Sequence, residues 1–243
     1  MMRWLLAWIR SVAAFLFLCV YVAVVGPPAL LISVLTGWVA HFFELGYLGA
    51  KTARHIAGVH LSVEGLDNVV GERPTVYCIN HRSNVDPPVA FESLYRRCPK
   101  LRGVYKAEMG KLPIFGTALR MSGFVPIVRQ DPRRAFEMIE LAVSRLGEGY
   151  SFMLAPEGTR ATTAEMRPFK KGAFVMAIKA QVPVVPVALV GTGAAMPRGR
   201  LYVTPERITV KVGKPISTTG LTLEDRDALA ARLRQDLERL LAE

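Results

Sequence analysis

The hydrophobic pattern divides the chain into two unequal parts. Residues 11–43 contain no Asp, Glu, Lys or Arg, and this stretch is too apolar for the surface of a soluble domain. It is interrupted by the sequence GPP at residues 26–28, and proline inside a helix removes a hydrogen-bond donor and clashes with the preceding turn. The pattern therefore predicts a hairpin of two apolar helices, at residues 4–25 and 29–47, that meets lipid or a partner.

The turn of this hairpin carries information about its topology. A loop that emerges on the far side of a bilayer is normally polar, whereas residues 24–29 are all apolar. Cations flank the segment at both ends, namely Arg3, Arg10, Lys51 and Arg54. By the positive-inside rule both ends then lie on the cytoplasmic side. We expect a re-entrant, monotopic hairpin on the cytoplasmic face of the inner (plasma) membrane, and the alternatives are two tilted spans or a secretory signal peptide.

All three tryptophans of the chain fall in this apolar segment. Trp4 and Trp8 are spaced to share a helix face next to Arg3, and Trp38 lies in the second arm. Tryptophan beside a cation is typical of anchors at the membrane surface. The alternative is that these side chains are ordinary core aromatics.

From residue 59 onward the pattern is that of a soluble α/β domain. Short β-type runs alternate with helical patterns, which predicts a mixed, largely parallel sheet covered by helices on both faces. The expected strands are residues 60–63, 76–79, 103–106, 124–128, 151–154, 184–189 and 208–212. The expected helices are residues 88–97, 114–121, 132–146, 171–181 and 222–242. The expected organisation is a membrane-associating hairpin at residues 1–58 and a single domain at residues 59–243.

The C-terminal pattern is that of a charged amphipathic helix. Thr222 and Asp225 have the spacing of a capping box. Four leucines fall on one face, Leu229, Leu233, Leu237 and Leu240. We expect this face to pack against the domain rather than against a partner.

The charge balance and the cysteines narrow the function classes. The chain carries 31 basic and 20 acidic residues, a formal charge of +11, which suits an anionic partner such as a phospholipid surface, a nucleotide or nucleic acid. Cys19, Cys78 and Cys98 are widely spaced and form no C-x-x-C pair. Neither a disulfide framework nor a zinc site is indicated.

Candidate chemistry begins where the second expected strand ends. The segment NHRSNVDPP occupies residues 80–88, so that an apolar run stops at His81. Pro87 biases Asp86 out of the α region and makes it a candidate N-cap of the next helix. The carboxylate of Asp86 can then face His81. A histidine oriented by a carboxylate is a general base near neutral pH. The alternative is a loop histidine beside a simple helix cap.

Four ordered blocks carry a resemblance to a known family. They are NHRSNVD at residues 80–86, GFVPIVR at 123–129, APEGTR at 155–160 and VPVVPV at 182–187. Together they resemble the glycerolipid acyltransferases with the H-x4-D motif, especially the 1-acylglycerol-3-phosphate acyltransferases. The resemblance covers about residues 60–190. The family commonly has an aromatic residue where this chain has Ala155, which leaves the local shape of the pocket open.

The resemblance implies a general-base mechanism. His81 would deprotonate the hydroxyl of the acceptor, and Asp86 would orient and support its imidazole. The alkoxide would then attack the acyl thioester directly, without an acyl-enzyme, and the thiolate would leave. The chain has no G-x-S-x-G sequence, the elbow on which a serine acyl-enzyme would form.

The second and third blocks are implied to bind the acceptor. In the family, the positions of Arg129 and Arg160 contact the glycerol-phosphate head group, a role that suits the guanidinium fork. Glu157, Gly158 and Thr159 belong to the block that lines the same pocket. Glu157 would either tether a pocket arginine or position the acceptor hydroxyl, and the sequence leaves both roles open.

A polar stretch without periodicity follows the third block. We expect residues 161–172 to form a mobile loop at the border of the site. Its cations Arg167, Lys170 and Lys171 are candidates for contact with donor phosphates or with an anionic membrane surface. The alternative is a solvated basic loop without a ligand.

The resemblance implies a reaction that transfers an acyl group from acyl-CoA or acyl-carrier protein to the free sn-2 hydroxyl of 1-acylglycerol-3-phosphate and gives phosphatidic acid. The expected partners are the lysophospholipid, the acyl thioester and an anionic membrane surface, and we expect no metal and no cofactor besides the thioester co-substrate. Glycerol-3-phosphate, another lysophospholipid and a lyso-aminolipid are alternative acceptors. A nonenzymatic membrane-binding protein is the alternative of another class. Nucleic acid binding would not explain the apolar hairpin.

Overall fold

Residues from 60 onward fold into an α/β domain, in a computed structural model that describes residues 2–111, 113–127, 132–163 and 165–243. The described strands are β1 (His60–Glu64), β2 (Val76–Ile79), β3 (Leu101–Lys106), β4 (Val125–Ile127), β5 (Ser151–Leu154), β6 (Val184–Val190) and β7 (Arg207–Val212). The described α-helices are α1 (Met2–Thr36), α2 (Ala40–Ile56), α3 (Asp86–Leu94), α4 (Pro113–Met121), α5 (Pro132–Gly147), α6 (Gly172–Ala180), α7 (Thr192–Ala195) and α8 (Arg226–Ala242). Short 3-10 turns occupy Leu66–Asn68, Ala107–Lys111 and Leu223–Asp225.

The strands form a mixed sheet in the order β1-β7-β6-β2-β5-β3-β4. Neighbouring strands are parallel except for β6 and β7, which are antiparallel. The central strands are short continuous apolar runs, which suits strands that are buried on both faces. All seven strands fall within one or two residues of their predicted ends, and the predicted mixed, largely parallel sheet is confirmed.

The alternation of side chains along β2 separates two cores. Tyr77 and Ile79 point to one face, where they pack with residues of α3 and of the strands β6 and β7. Val76 and Cys78 point to the other face, where α5, α6 and α8 cover the sheet. Because successive side chains of a strand face opposite ways, one four-residue strand contributes to both cores. Helices on both faces were predicted and are observed.

The C-terminal helix has the predicted cap and the predicted buried face. The backbone N–H of Thr222 donates to the carboxylate of Asp225 at 2.8 Å, and the capping box is complete. All four leucines of the predicted stripe are buried in the core that contains α5 and α6, namely Leu229, Leu233, Leu237 and Leu240. The helix therefore packs on its own domain, as expected.

The predicted turn of the N-terminal segment is wrong. The helix α1 continues through Pro27 and Pro28 without a break and ends at Thr36. The chain turns at residues 37–39, where Gly37 has φ +69°, a left-handed conformation that glycine adopts without steric cost. A helix in an apolar environment tolerates proline more readily than a helix of a water-soluble protein. The rule that proline ends a helix therefore did not locate the end of α1.

The second N-terminal helix packs against both α1 and the domain. It runs antiparallel to α1, since His41 Nε2 lies 2.9 Å from the carbonyl of Ala29 and Tyr21 Oη donates to the carbonyl of Leu45 at 2.8 Å. On its other side Phe43 stacks on Phe124 with ring centroids 6.0 Å apart. Both N-terminal helices thus lie along the α/β domain, and the division between residues 58 and 59 stays a prediction.

Further contacts hold α2 to the domain. Arg54 donates twice to the carboxylate of Glu92 in α3, with both distances 2.9 Å. The guanidinium of Arg102 lies 3.7 Å from the centre of the Phe43 ring, and burial lowers the pKa of Arg102 to about 10. Arg102 therefore stays charged at neutral pH, so this is a cation–π contact inside a largely aromatic cluster. The position of α2 on the domain is fixed by charged as well as apolar groups.

The helix α1 presents apolar side chains to its surroundings along most of its length. Within the described residues, the helix portion Trp4–Thr36 is long and apolar enough to cross a membrane by length and composition, and 6% of its most apolar window is buried. Large side chains such as Phe15, Val20 and Leu35 are more than half exposed. Because apolar exposure on this scale is unfavourable in water, this surface requires lipid or another apolar partner.

Candidate acyl-transfer site

The candidate site lies at the carboxyl ends of two adjacent parallel strands. His81 follows the end of β2 by two residues, and Glu157 follows the end of β5 by three. The two strands are paired in register, with Cys78 opposite Leu154, so the segments that follow them emerge side by side. The edge formed by strand carboxyl ends is the usual ligand site of an open α/β sheet.

The predicted contact between His81 and Asp86 is present. His81 Nδ1 lies 2.9 Å from Asp86 Oδ2, and that same oxygen accepts hydrogen bonds of 2.7 Å from the backbone N–H groups of Arg82 and Ser83. The Asp86 side chain is fully buried, whereas the His81 side chain is 22% exposed. A carboxylate that accepts from Nδ1–H leaves Nε2 as the unprotonated nitrogen of the ring.

One detail of the predicted geometry is wrong. Asp86 is the first residue of α3 rather than its N-cap, which is Val85 and makes no side-chain capping bond. Its carboxylate turns back to the preceding loop instead of toward the helix, because the N–H groups of Arg82 and Ser83 and the imidazole converge on one oxygen. Asp86 thereby orders the loop and orients the ring at the same time.

Glu157 holds the backbone of the histidine. Its Oε1 accepts a hydrogen bond of 2.8 Å from the backbone N–H of His81, and its Oε2 accepts one of 2.8 Å from the backbone N–H of Arg167. The carbonyl of His81 in turn accepts from the N–H of Ala161 at 2.8 Å. Glu157 is 2% exposed. This bridge between two backbone segments is neither of the two roles that the sequence left open.

Two further polar residues of this loop were missed by the sequence reasoning. Asn80 is fully buried, and its amide exchanges hydrogen bonds of 2.7 and 3.1 Å with the backbone of Leu189 in β6. The hydroxyl of Ser83 donates to the carbonyl of Met196 at 2.8 Å. Asn80 could have been found from its place at the end of an apolar strand, because an amide that is buried there requires hydrogen-bond partners. These bonds fix the loop of His81 to β6 and to the segment that follows α7.

The third block forms a tight turn after β5. Gly158 has φ +69°, and a Cβ added there would lie 2.9 Å from Cε of Lys170, so both conformation and space favour glycine. The Lys170 N–H donates to the carbonyl of Pro156 at 2.8 Å. Thr159 and Arg160 follow this turn and are partly exposed. Arg129, which is predicted to bind the acceptor head group together with Arg160, lies outside the described residues.

The loop that was expected to be mobile is held by α8 over its described part. Arg234 donates to the carbonyls of Met166 and Arg167 at 2.8 and 3.1 Å. Lys171 forms a salt bridge of 3.0 Å with Asp227, whose pKa is lowered by this hydrogen bond. The side chains of Arg167 and Lys170 are exposed. The three predicted cations therefore share one rim of the site, and Lys171 is already paired with an acid.

A cleft adjoins this rim. It has a volume of about 480 Å³ and is lined by Arg82, Glu165, Met166, Arg234, Glu238, Leu241 and Ala242. Its walls combine two cations and two carboxylates with the apolar end of α8. In the described part of the chain no group of three or more His, Cys, Asp or Glu side chains is placed to hold a metal ion.

Comparisons with known proteins agree with this architecture. The sequence model of the Acyltransferase family matches residues 60–190, more than half of the chain. The chain is similar to a chloroplastic 1-acyl-sn-glycerol-3-phosphate acyltransferase of Brassica napus, with 37% identity over 138 residues, and to the alpha form of this enzyme in Mus musculus, with 32% identity over 187 residues. These matches cover 56% and 76% of the chain. They span 39% and 65% of the relatives' own lengths.

A solved structure has the same fold. The chain superposes on the crystal structure of a 1-acyl-sn-glycerophosphate acyltransferase from Thermotoga maritima with a TM-score of 0.75 and 24% sequence identity. The match covers 96% of this chain and 97% of the other. It therefore includes the N-terminal helices as well as the sheet.

Proposed function

The chain belongs to the Acyltransferase family, and from this premise we propose that it acylates the free sn-2 hydroxyl of 1-acylglycerol-3-phosphate to give phosphatidic acid. The relatives that it resembles are named as enzymes of this reaction. The observation that carries the proposal is the contact of 2.9 Å between His81 Nδ1 and Asp86 Oδ2, which leaves Nε2 free at the edge of the sheet.

The proposed mechanism uses this nitrogen as the base. His81 Nε2 takes the proton of the acceptor hydroxyl, and the alkoxide oxygen attacks the carbonyl carbon of the acyl thioester. The C–S bond then breaks, and the thiolate takes the proton from the imidazolium, so that an ester and a free thiol are formed. Asp86 stabilises the imidazolium that forms transiently, because its carboxylate accepts from Nδ1 in a buried site.

The acceptor phosphate is assigned to the arginines of the second and third blocks. Arg160 follows the turn at Gly158, on the same strand edge as His81. Arg129 follows the end of β4, which is parallel to β3 and therefore opens to the same edge. Arginine suits this role since its planar fork binds a phosphate through two hydrogen bonds. Arg167 and Lys170, at the exposed rim, are assigned to binding the phosphates of the donor or of the membrane.

We further propose that the N-terminal helices place the site at the cytoplasmic face of the inner membrane without crossing it. The apolar surface of α1 supplies the lipid contact. The contact of Phe43 with Phe124 keeps the turn at residues 37–39 beside the domain. A lysolipid acceptor could then reach His81 from the bilayer.

An assay with purified full-length protein tests the reaction. It uses radiolabelled 1-acylglycerol-3-phosphate, glycerol-3-phosphate and lysophosphatidylcholine as acceptors, each with acyl-CoA and with acyl-carrier protein. We expect labelled phosphatidic acid from the first acceptor with at least one donor, and none from the His81→Ala protein. Faster transfer to either of the other acceptors would overturn the assignment of the substrate. The absence of transfer in all six combinations would overturn the assignment of the activity.

A further inference from the structure

The loop between α7 and β7 is fastened to the beginning of the apolar helix α1. Ser11 Oγ accepts from the backbone N–H of Val203 at 2.8 Å and lies 3.1 Å from the Val203 carbonyl. The rings of Trp8 and Tyr202 pack with centroids 5.2 Å apart. The loop therefore lies beside the surface of α1 that requires an apolar environment.

This loop, residues 197–203, carries an exposed leucine between polar neighbours. Leu201 is 85% exposed, the highest value among the large apolar side chains in the described part of the chain. The contacts of this loop with α1 are made by Tyr202 and Val203, the residues that follow Leu201. A single exposed leucine is ordinary on a protein surface, so the inference depends on what surrounds it.

The surroundings of Leu201 are those of a protein surface that touches a bilayer. Arg198 is exposed, and the guanidinium of Arg200 lies 4.9 Å from the centre of the Tyr202 ring. Trp4 is more than half exposed and packs edge-on against Trp8 with centroids 6.2 Å apart. Tryptophan, tyrosine and arginine around an apolar tip match the chemistry of the head-group region, where cations bind anionic lipid.

The same loop also reaches the site. Arg198 Nη1 donates to the backbone carbonyl of Arg160 at 3.4 Å, and Ser83, two residues after His81, donates to the carbonyl of Met196 immediately before the loop. Contacts from one short segment thus connect the start of α1 with the loop of His81 and with the turn that carries Arg160.

We propose that residues 197–203 form a second membrane contact, in which Leu201 inserts at the boundary between head groups and acyl chains and Arg198 and Arg200 bind the phosphates of anionic phospholipids. The occupant is an anionic bilayer, since the loop adjoins the lipid-facing helix and carries two cations and no acid. This inference deepens the proposed function, which supplies the reason for membrane contact. Binding of the loop to lipid itself requires no turnover.

The depth of Leu201 in a bilayer is directly measurable. A Leu201→Cys protein with Cys19→Ser is labelled with an NBD fluorophore, since Cys78 and Cys98 are fully buried. The labelled full chain is reconstituted into vesicles of phosphatidylcholine that contain about 30% phosphatidylglycerol. Phosphatidylglycerol is the anionic lipid that the arginines are proposed to bind. Lipids with nitroxides at shallow positions of the acyl chain are added. We expect the fluorescence at residue 201 to fall several-fold.

Leu223 provides the matched control. It is 43% exposed and lies shortly after Gly220 in the sequence. The N–H of Gly220 donates to the side chain of Gln181, a residue that precedes the start of β6. Leu201 follows the carboxyl end of β6 instead, so the two leucines lie at opposite edges of the sheet. An NBD group at Leu223→Cys should not be quenched. Equal, weak quenching at both positions would overturn the proposal and would favour solvent or a protein partner at Leu201.

A second comparison tests the two arginines. In the labelled protein, quenching at residue 201 should rise with the fraction of phosphatidylglycerol, and this rise should disappear when Arg198→Gln and Arg200→Gln are introduced together. Quenching that is independent of the anionic lipid in the parent protein would overturn the role of the arginines. Failure of this inference can be distinguished from failure of the proposed function. Transfer to 1-acylglycerol-3-phosphate is measured on the same preparations in detergent micelles, where no bilayer is present.

Discussion

The carboxylate of Glu157 accepts a hydrogen bond of 2.8 Å from the backbone N–H of His81. Since Glu157 follows β5 and His81 follows β2, this bond joins the ends of two parallel strands that are neighbours in the sheet. The other carboxylate oxygen accepts from the N–H of Arg167, which continues the connection into the basic rim. A buried acid thus sets the position of the proposed base without contact to its imidazole.

Replacement of Glu157 by glutamine should slow turnover more than it weakens acceptor binding. The carboxylate accepts on both oxygens, whereas glutamine has one acceptor and would place an NH2 group against a backbone N–H. A displacement of the base by about 1 Å costs on the order of 10²-fold in rate. Steady-state kinetics with the acceptor varied measures kcat and KM separately, and Glu148→Gln, an exposed acid paired with Arg145, is the control.

A different result would assign Glu157 to the pocket. If the Glu157→Gln protein keeps its kcat and shows a raised KM for the acceptor, the residue binds substrate or tethers a pocket arginine, as the sequence allowed. Thermal unfolding of the same variant should shift downward, because a buried N–H loses its acceptor at a cost of about 1–3 kcal/mol.

His81→Ala should abolish acyl transfer and leave the fold and the membrane association intact. The imidazole is the proposed base, a role that contributes about 10²–10⁴-fold, while α1 and α2 contact the domain through other residues. Activity assays, circular dichroism and flotation with vesicles on one preparation check the three statements. Near-normal turnover by this variant would refute the general-base mechanism.

Asp86→Asn should lose both activity and stability. Asp86 Oδ2 accepts three N–H donors, and Oδ1 is buried without a hydrogen-bond partner among the described residues. An asparagine that keeps the three bonds must bury its NH2 group in the place of Oδ1, which costs about 1–3 kcal/mol. Thermal unfolding measures this cost. An Asp86→Asn protein with unchanged stability and rate would show that neither orientation nor charge at this residue matters.

Local parts of the site could be predicted from the sequence, and its long-range contacts could not. The end of β2, the turn before Pro87 and the approach of Asp86 to His81 depend on neighbours within six residues, so residue preferences were sufficient. The bonds from Glu157 to His81 and from Asn80 to Leu189 join residues 76 and 109 positions apart. They follow from the order of the strands, which the hydrophobic pattern does not determine.

Arg160→Lys should weaken use of the acceptor more than use of the donor, and Arg129→Lys should do the same. An ammonium group is a point charge and cannot reproduce the two parallel hydrogen bonds of a guanidinium to phosphate. The measurement is kcat/KM with each substrate varied in turn. Equal losses toward both substrates would point to a structural or donor-side role, and Arg145→Lys, in the last turn of α5 and paired with Glu148, serves as the control.

The turn of the N-terminal segment should never be accessible from the outer side of the membrane. Phe43 stacks on Phe124 of the domain, and Trp38 precedes Phe43 by five residues. At a rise of about 1.5 Å per helical residue, the turn lies within roughly 8 Å of this contact along the helix axis. The hydrocarbon core is about 30 Å thick, so a turn on the far side would require Phe43 to leave the domain.

The contact at the beginning of α1 also supports the expectation that the turn does not cross the membrane. Ser11, near the beginning of α1, exchanges hydrogen bonds with Val203, while the turn lies beside Phe124. Both ends of α1 are therefore held next to the domain. We therefore expect α1 to lie along the membrane surface, although it is long and apolar enough to cross a bilayer.

A single cysteine at Trp38, which is 59% exposed, tests this topology in a protein whose Cys19, Cys78 and Cys98 are replaced. Intact cells and inside-out vesicles are treated with a membrane-impermeant maleimide, and Leu223→Cys in the same background reports access to the domain. We expect Leu223→Cys to be labelled only in inside-out vesicles and Trp38→Cys to be unlabelled in intact cells. Labelling of Trp38→Cys from outside would mean that the turn crosses the bilayer, that the contact between Phe43 and Phe124 opens in the membrane, and that the monotopic arrangement is wrong.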